Sequence, residues 1–317
     1  MKRKVAVISG GRSAEREVSL KSGQAVFSAL QAVAETAGFS DVLNLDSAMP
    51  SADFVAALQG VDVAFPILHG VGGEDGQIQG VLEYLQIPYT GSGIQASAIA
   101  MDKSMTKSIW SQGGLATPDS KTFELSKNSL DACVQDVLSW SQGQPMVVKP
   151  VDQGSSILMF RVTDEQQLRA ALEENMQATP ATKLVMIEQW VTGDEYTVGI
   201  VADQVLPSIR IDTPRTFYDY TAKYAANDTS YICPSGLSAQ QEADLALLSL
   251  TAFKLVGCYG WGRVDVMQDQ QGKFWLIEVN TLPGMTERSL VPMAAKQAGL
   301  SFSDLVLKIL ETATLKH

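Results

Sequence analysis

The residues whose types and spacing point most directly to chemistry lie on two runs near the carboxyl end. Gly262 to Gln268 and Lys273 to Asn280 both read as β-strands, joined through Asp269-Gln270-Gln271-Gly272 as a hairpin. Alternate residues of a strand face one side, so Arg263 and Asp265 share a face, as do Glu278 and Asn280. A turn near Gln270 sets Arg263 opposite roughly Glu278, and the four side chains converge while Val264, Val266, Ile277 and Val279 pack inward. Two carboxylates and an amide oxygen form a hard-oxygen set suited to Mg²⁺, which takes few protein carboxylates plus phosphate oxygens. An ordinary solvated face fits the same spacing. Against it, Glu278 follows Trp275-Leu276-Ile277, and a carboxylate in so apolar a strand usually needs a partner.

A second group suits phosphate. The loop Asp152-Gln153-Gly154-Ser155-Ser156 joins two β runs and offers backbone N–H groups and hydroxyls to an anion. Lys149 ends the first run and can place its ammonium on the same anion. A plain hairpin turn is the alternative. Glu188-Gln189-Trp190-Val191 ends another strand, with Glu195 four residues on, a segment able to offer backbone to an adenine and a carboxylate to ribose hydroxyls. Alone, it is merely a strand end. No GxxxxGK[ST] occurs, so a P-loop is not expected. Gly91-Ser92-Gly93-Ile94-Gln95-Ala96 matches G-x-G-x-x-A, but the acidic residue expected some twenty positions later is missing and the preceding strand is short, which leaves a nicotinamide enzyme as a weak alternative.

These groups need elements to position them. Val5-Ala6-Val7-Ile8 reads as a buried strand ended by Gly10-Gly11, and Phe27, Leu30, Val33 and Ala37 follow helical spacing up to Gly38. Val61 to Leu68 is a further strand that ends in glycines, and Ile78 to Leu85 is helical. Glycine-rich strand ends in a strand–helix–strand segment imply a small parallel sheet whose ligands bind at its carboxyl edge. Beyond residue 96 come β runs at Pro145–Lys149 and Ile157–Val162, a helix over Asp164–Asn175, strands at Leu184–Gln189 and Tyr196–Val201, and a helix over Gln241–Val256. Residues 203–235 are polar, aromatic and aperiodic, the texture of a functional lid. The expected class is α/β with mixed α+β character.

Composition narrows the partners. The 24 Lys and Arg against 35 Asp and Glu give a net charge of −11 over 317 residues, which argues against nucleic acid as a partner. Only two His and three Cys are present, with no zinc-type spacing, and reduced thiols in a cytoplasmic protein are the simpler reading. No run is long enough to span a membrane or form an export segment.

Taken together, the segments resemble the D-alanine–D-alanine ligases of the ATP-grasp superfamily, from about Val5 to Leu310. The motifs that carry the resemblance begin with Gly10-Gly11-Arg12-Ser13-Ala14-Glu15-Arg16-Glu17-Val18-Ser19 and His69-Gly70-Val71-Gly72-Gly73-Glu74-Asp75-Gly76. Met101-Asp102-Lys103, Val148-Lys149-Pro150 and Ala222-Lys223-Tyr224 follow, then Gly262-Arg263-Val264-Asp265, Glu278-Val279-Asn280-Thr281, Pro283-Gly284-Met285-Thr286 and Ser289-Leu290-Val291-Pro292. The resemblance implies three domains over residues 1–96, 97–190 and 191–317, a homodimer, and a reaction in which ATP phosphorylates the carboxylate of one D-alanine before the amine of a second attacks it, for peptidoglycan synthesis. Another carboxylate–amine ligase of this superfamily, using D-lactate or D-serine as second substrate, is the alternative; the Lys223-Tyr224 pattern favours D-alanine. A regulator that keeps the fold without catalysis is countered by the intact set of charged residues.

The resemblance also implies roles. Lys103, Lys149, Ser156 and Lys223 resemble the phosphate contacts, Glu188 and the backbone of Gln189, Trp190 and Val191 the adenine contacts, and Glu195 the ribose contact. Asp265, Glu278 and Asn280 resemble the ligands of two Mg²⁺ ions, replaceable by Mn²⁺, with Glu278 shared. Glu15 resembles the group that binds the first amino acid's ammonium, in a set with Ser155 and Tyr224. Arg263 and the Gly284 N–H resemble an oxyanion hole, Ser289 and Leu290 the seat of the second carboxylate, and His69 a substrate-site residue. Two positions depart from the pattern: Leu158, where a small residue is usual, and Leu282, where Ser is common. Neither removes a proposed ligand.

Overall fold

A computed structural model describes residues 3–126, 128–154, 158–178, 184–213 and 229–316. Strand β1 (Arg3–Ser9) is buried from Val5 onward and pairs in parallel with both β2 (Phe39–Asp46) and β3 (Val63–Pro66), giving the order β2-β1-β3. Helices α1 (Arg16–Val33), α2 (Ser51–Ala57) and α3 (Gln77–Tyr84) connect and cover it. Apolar residues on both faces are what a parallel sheet buried on both sides requires. Val5 and Val7 pack with Leu30 of α1, whereas Ala6 and Ile8 pack with Phe54 and Leu82. Gly10 and Gly11 turn the chain at the carboxyl end of β1 with φ of 78° and 80°, and Gly70 does the same after β3 with 72°. The glycine-rich loops therefore leave one edge of this sheet.

Helices α4 (Ile94–Met101) and α5 (Lys103–Gln112) follow, separated by Asp102, whose side chain accepts from the N–H groups of Ser104 and Met105 and so starts α5. A four-stranded antiparallel sheet comes next, made of β4 (Ser120–Glu124), β5 (Met146–Pro150), β6 (Phe160–Val162) and β7 (Leu184–Gln189) in the order β4-β7-β5-β6. Helices α6 (Leu130–Ser141) and α7 (Glu165–Gln177) cover one face, where Val148 and Ile187 meet Val134 and Leu168.

The largest sheet has six strands: β8 (Gly193–Val201), β9 (Gln204–Val205), β10 (Ile209–Asp212), β11 (Ser230–Ile232), β12 (Trp261–Asp269) and β13 (Phe274–Asn280). Its core face carries Tyr196, Val198, Ile200, Val264 and Val266 against α8 (Ala239–Leu255). Helices α9 (Leu290–Gln297) and α10 (Phe302–Leu310) return to the first sheet, so Leu305 and Ile309 share a core with Val5, Val26 and Phe65.

Two expectations need correction. The hairpin register pairs Arg263 with Asn280 and Asp265 with Glu278, two residues away from the expected alignment. Strand side chains repeat every two residues, so a shift of two keeps all four on one face. A bulge between Asp265 and Val266 then sets Val266 opposite Leu276, which is fully buried, while Ile277 lies half-buried outside the core. Residues 203–235 also contain β9, β10 and β11, so their described part belongs to the sheet; residues 214–228 lie outside the described residues. No helix among the described residues is long and apolar enough to cross a membrane.

Candidate active site

Alternation on the large sheet turns Glu195 and Thr197 of β8, and Arg263 and Asp265 of β12, to the face opposite the α8 core. Asp265 accepts from Arg263 through both oxygens at 2.8 Å, from Thr197 Oγ1 at 2.6 Å and from Asn280 Nδ2 at 3.0 Å. Asn280 spends its amide N–H₂ there, so its amide oxygen is what it has to offer a cation. Asp265 and Glu278 stand directly opposite each other, an unfavourable pairing of like charges unless a cation is near. Lys103 Nζ, 3.9 Å from Glu278, and Arg263 serve that purpose. A divalent ion fits this donor set. No group of three His, Cys, Asp or Glu occurs among the described residues, so two carboxylates and an amide would leave the remaining positions to phosphate oxygens and water.

The small sheet presents the opposite sign. Lys149 and Glu188 alternate with Val148 and Ile187 of the covered face and so point away from it. Glu188 pairs with Lys149 and with Lys107 of α5, the latter at 2.8 Å, and all three are buried. Burial pushes the Glu188 carboxyl up, but the two ammonium groups outweigh it and hold it below the usual range. Burial draws Lys107 down to about 8, with Glu188 holding it up and Lys149 pushing it down. Lys103 donates to the Gln153 carbonyl at 2.7 Å and so ties the loop after β5 to Glu278 of the acidic hairpin. Ser155 and Ser156 lie outside the described residues, as do Lys223 and Tyr224. Beyond that loop, Leu158 takes a φ of 55°, an unfavourable value for a side chain other than glycine, and its carbonyl accepts from buried Asn175.

The segment at residues 189–191 is already partly engaged. Gln189 N–H donates to the Asp119 carbonyl and Trp190 N–H to that of Pro145, each at 3.0 Å. Neither donor is available to a base, and Val191 is the next candidate. A cleft of about 270 Å³ opens beside this segment, walled by Pro118, Trp275 and the hairpin turn, at the end of the hairpin remote from Asp265.

The first sheet brings a third set. Glu15 precedes α1 without capping it through its side chain, and its Oε2 lies so close to Gly70 and Gly154 that a Cβ there would come within 2.9 and 3.1 Å. His69 follows β3, is buried with Nε2 3.3 Å from Ser22 Oγ, and donates to the Leu282 carbonyl. Burial lowers its pKa to about 4, so the ring is neutral at physiological pH. Burial and the nearby Glu15 raise the Glu74 carboxyl, against N–H donors from Gly70 and Leu282 and the charge of Arg263. Met285 N–H donates to Ser22 Oγ at 3.1 Å, locking the loop after β13 to α1. In that loop, a Cβ on Gly284 would sit 2.9 Å from Ser289 Oγ, and Leu290 opens α9. Leu282 is buried beside Gly91, with its side chain in the core and its backbone meeting His69 and Glu74.

This junction of three sheets matches known proteins along its length. Family models described as D-ala D-ala ligase N-terminus and D-ala D-ala ligase C-terminus match residues 40–92 and 109–311. A D-alanine–D-alanine ligase from Pseudomonas entomophila is 51% identical over 97% of this chain and 92% of its own length. The chain belongs to the D-alanine–D-alanine ligase family. A D-alanine–D-alanine ligase from Bacillus anthracis complexed with ATP superposes with a TM-score of 0.80 at 33% identity, covering 98% of this chain and 97% of the other. The VanG D-Ala:D-Ser ligase from Enterococcus faecalis gives 0.83 at 29% identity, covering 98% and 99%. The fold is that of the ATP-grasp ligases, as the motifs implied.

Family membership leaves the dehydrogenase alternative without support. Gly91 follows an isolated bridge at Tyr89, not a strand, and packs against Trp261 and Leu282. Two residues of the site escaped the sequence reading. Lys107 stands one helical turn after Lys103, an i,i+4 signal that was present. Glu74 lay within a motif already noted, but its meeting with Glu15 and Arg263 depends on tertiary structure.

Proposed function

We propose that this chain joins two D-alanine molecules into D-alanyl-D-alanine at the expense of ATP. The observation that carries the reading is Arg263, whose guanidinium holds Asp265 on the acidic face while its charge reaches His69 and Glu74 in the loop after β3. On this reading Arg263 links an amino-acid subsite to a metal–nucleotide subsite. Three domains, over residues 1–96, 97–190 and 191–317, each contribute one of the sheets. A homodimer in the cytoplasm, with no nucleic-acid or membrane partner, completes the proposal.

Within this reading Lys103 and Lys149, with Ser156 and Lys223, bind the triphosphate. Glu188 accepts from the adenine amino group, Val191 offers backbone, and Glu195 takes the ribose hydroxyls. Asp265, Glu278 and Asn280 would hold two Mg²⁺ ions, whose chemistry when bound is to neutralise charge on the transferred phosphoryl group. Glu15, with Ser155 and Tyr224, fixes the first D-alanine by its ammonium, so that its carboxylate faces the phosphate loop. Phosphorylation makes that carboxylate electrophilic. The second amine then attacks, while Arg263 and the Gly284 N–H receive the developing oxyanion. Neutral His69 orients substrate without adding positive charge, and Ser289 with Leu290 seats the second carboxylate. The test is phosphate release from ATP and Mg²⁺ with D-alanine, L-alanine, D-serine or D-lactate, singly and beside D-alanine. Release with D-alanine alone, accompanied by dipeptide, is expected; release only in a mixture with D-serine or D-lactate contradicts the proposed second substrate.

A further inference from the structure

Lys107 has no role in the reaction as proposed, and its surroundings differ from those of Lys149. Its ammonium meets three acceptors: Glu188 Oε2 at 2.8 Å, Thr117 Oγ1 at 2.6 Å and the Pro118 carbonyl at 3.3 Å. Thr117 and Pro118 accept hydrogen bonds from the ammonium, and Glu188 is its ion-pair partner. Thr117 in turn donates to the Leu276 carbonyl at 2.8 Å, which fixes the group to β13 of the acidic hairpin. Lys149 reaches the same carboxylate from the other side, and Glu188 is its one side-chain partner among the described residues. Among the described residues, one lysine has several anchors in the fold and the other has one side-chain partner.

That asymmetry matters because Glu188 is only 4% exposed. A buried carboxylate stripped of its cations carries a large desolvation cost. If Lys149 alone neutralised it, every move of Lys149 toward a phosphate would leave Glu188 uncompensated. We propose that Lys107 is a positioning residue that keeps Glu188 charged and oriented, so that Lys149 is free to leave it for a nucleotide phosphate. This rests on the reading of Lys149 as a phosphate contact and Glu188 as an adenine contact. Burial that draws Lys107 toward neutrality is offset by Glu188 itself, so the pair sustains its own charge at neutral pH.

The test is calorimetric titration of the full chain with ADP and Mg²⁺, and separately with adenosine, in wild type, Lys107→Met, Thr117→Val and Glu188→Gln. In Lys107→Met the remaining lysine is pinned to Glu188, so ADP affinity falls about ten-fold or more while adenosine affinity changes less than about three-fold. Thr117→Val removes one anchor without stranding a charge, and gives the same selective loss at about three-fold, even if Lys107→Met proves unable to fold. Equal losses for both ligands, or no loss in either variant, overturn the proposal in favour of a purely structural lysine. The Glu188→Gln arm judges the underlying reading separately: unchanged adenosine affinity there removes Glu188 from the nucleobase, whereas the ADP-to-adenosine contrast judges Lys107.

Discussion

The small antiparallel sheet and the hairpin of the large sheet meet at Lys103 with opposite charge. On the first, Lys149 and Lys107 surround one buried carboxylate; on the second, Asp265 and Glu278 stand opposite each other, with Arg263 paired to Asp265. The cationic side can meet phosphate directly, whereas the acidic side can meet it only through a cation. Neither side alone is a site for a metal-bound triphosphate, and Lys103, 3.9 Å from Glu278 and bonded to Gln153, spans the two. The difference explains how a chain of net charge −11 handles a polyanion: the positive charge is local and buried.

Breaking the acidic side has the largest expected effect. Glu278→Gln should lower dipeptide formation by about a thousand-fold at saturating ATP, since it removes a charge shared by both proposed metal positions. Turnover near the wild-type value in that variant would falsify the metal assignment. Lys149→Met should cost about a hundred-fold in kcat/KM for ATP, with the dependence on Mg²⁺ concentration little changed. If both variants instead altered Mg²⁺ dependence alike, the division into two sides would fail.

Glu15→Gln sharpens the comparison from outside. It should raise KM for D-alanine about ten-fold while leaving KM for ATP within about two-fold, because Glu15 borders Gly70 at the carboxyl end of the first sheet. A matching rise for ATP would dissolve the separate amino-acid subsite. The smallest effect concerns His69, whose folded pKa of about 4 lies below its ordinary 6.5. The unfolded chain takes up the proton first, so this contribution to stability is complete above pH 6.5 and lost as pH falls toward 4. His69→Gln should therefore flatten the decline in melting temperature across that window by the equivalent of about 1–3 kcal/mol. An unchanged slope would mean that the ring does not resist protonation.

Period-two alternation was enough to place Arg263, Asp265, Glu278 and Asn280 on one face, because that inference survives a register shift of two. It could not foresee the bulge that moves Ile277 out of the core and Leu276 into it. The paired glycines after Ile8 marked the carboxyl edge of the first sheet, whereas β2 escaped notice because its buried positions, Phe39, Val42 and Leu45, recur every three residues. Lys103 and Lys149 were legible from motifs. The Glu188–Lys107 pair was not, since it joins β7 to α5 across 81 positions of sequence and neither residue alone announces a partner. Helices α9 and α10 pack back on α1 and the first sheet, a long-range closure that no local pattern records.

The measurement that tests the account most directly follows oxygen. D-alanine labelled with ¹⁸O in its carboxylate is turned over with unlabelled ATP and Mg²⁺, and the released phosphate is analysed by mass. Phosphorylation of the carboxylate, followed by attack of the second amine, predicts one ¹⁸O in each phosphate, in step with dipeptide formed. Phosphate that carries no label would mean that ATP is cleaved by water, and would contradict the assignment of this site to carboxylate activation.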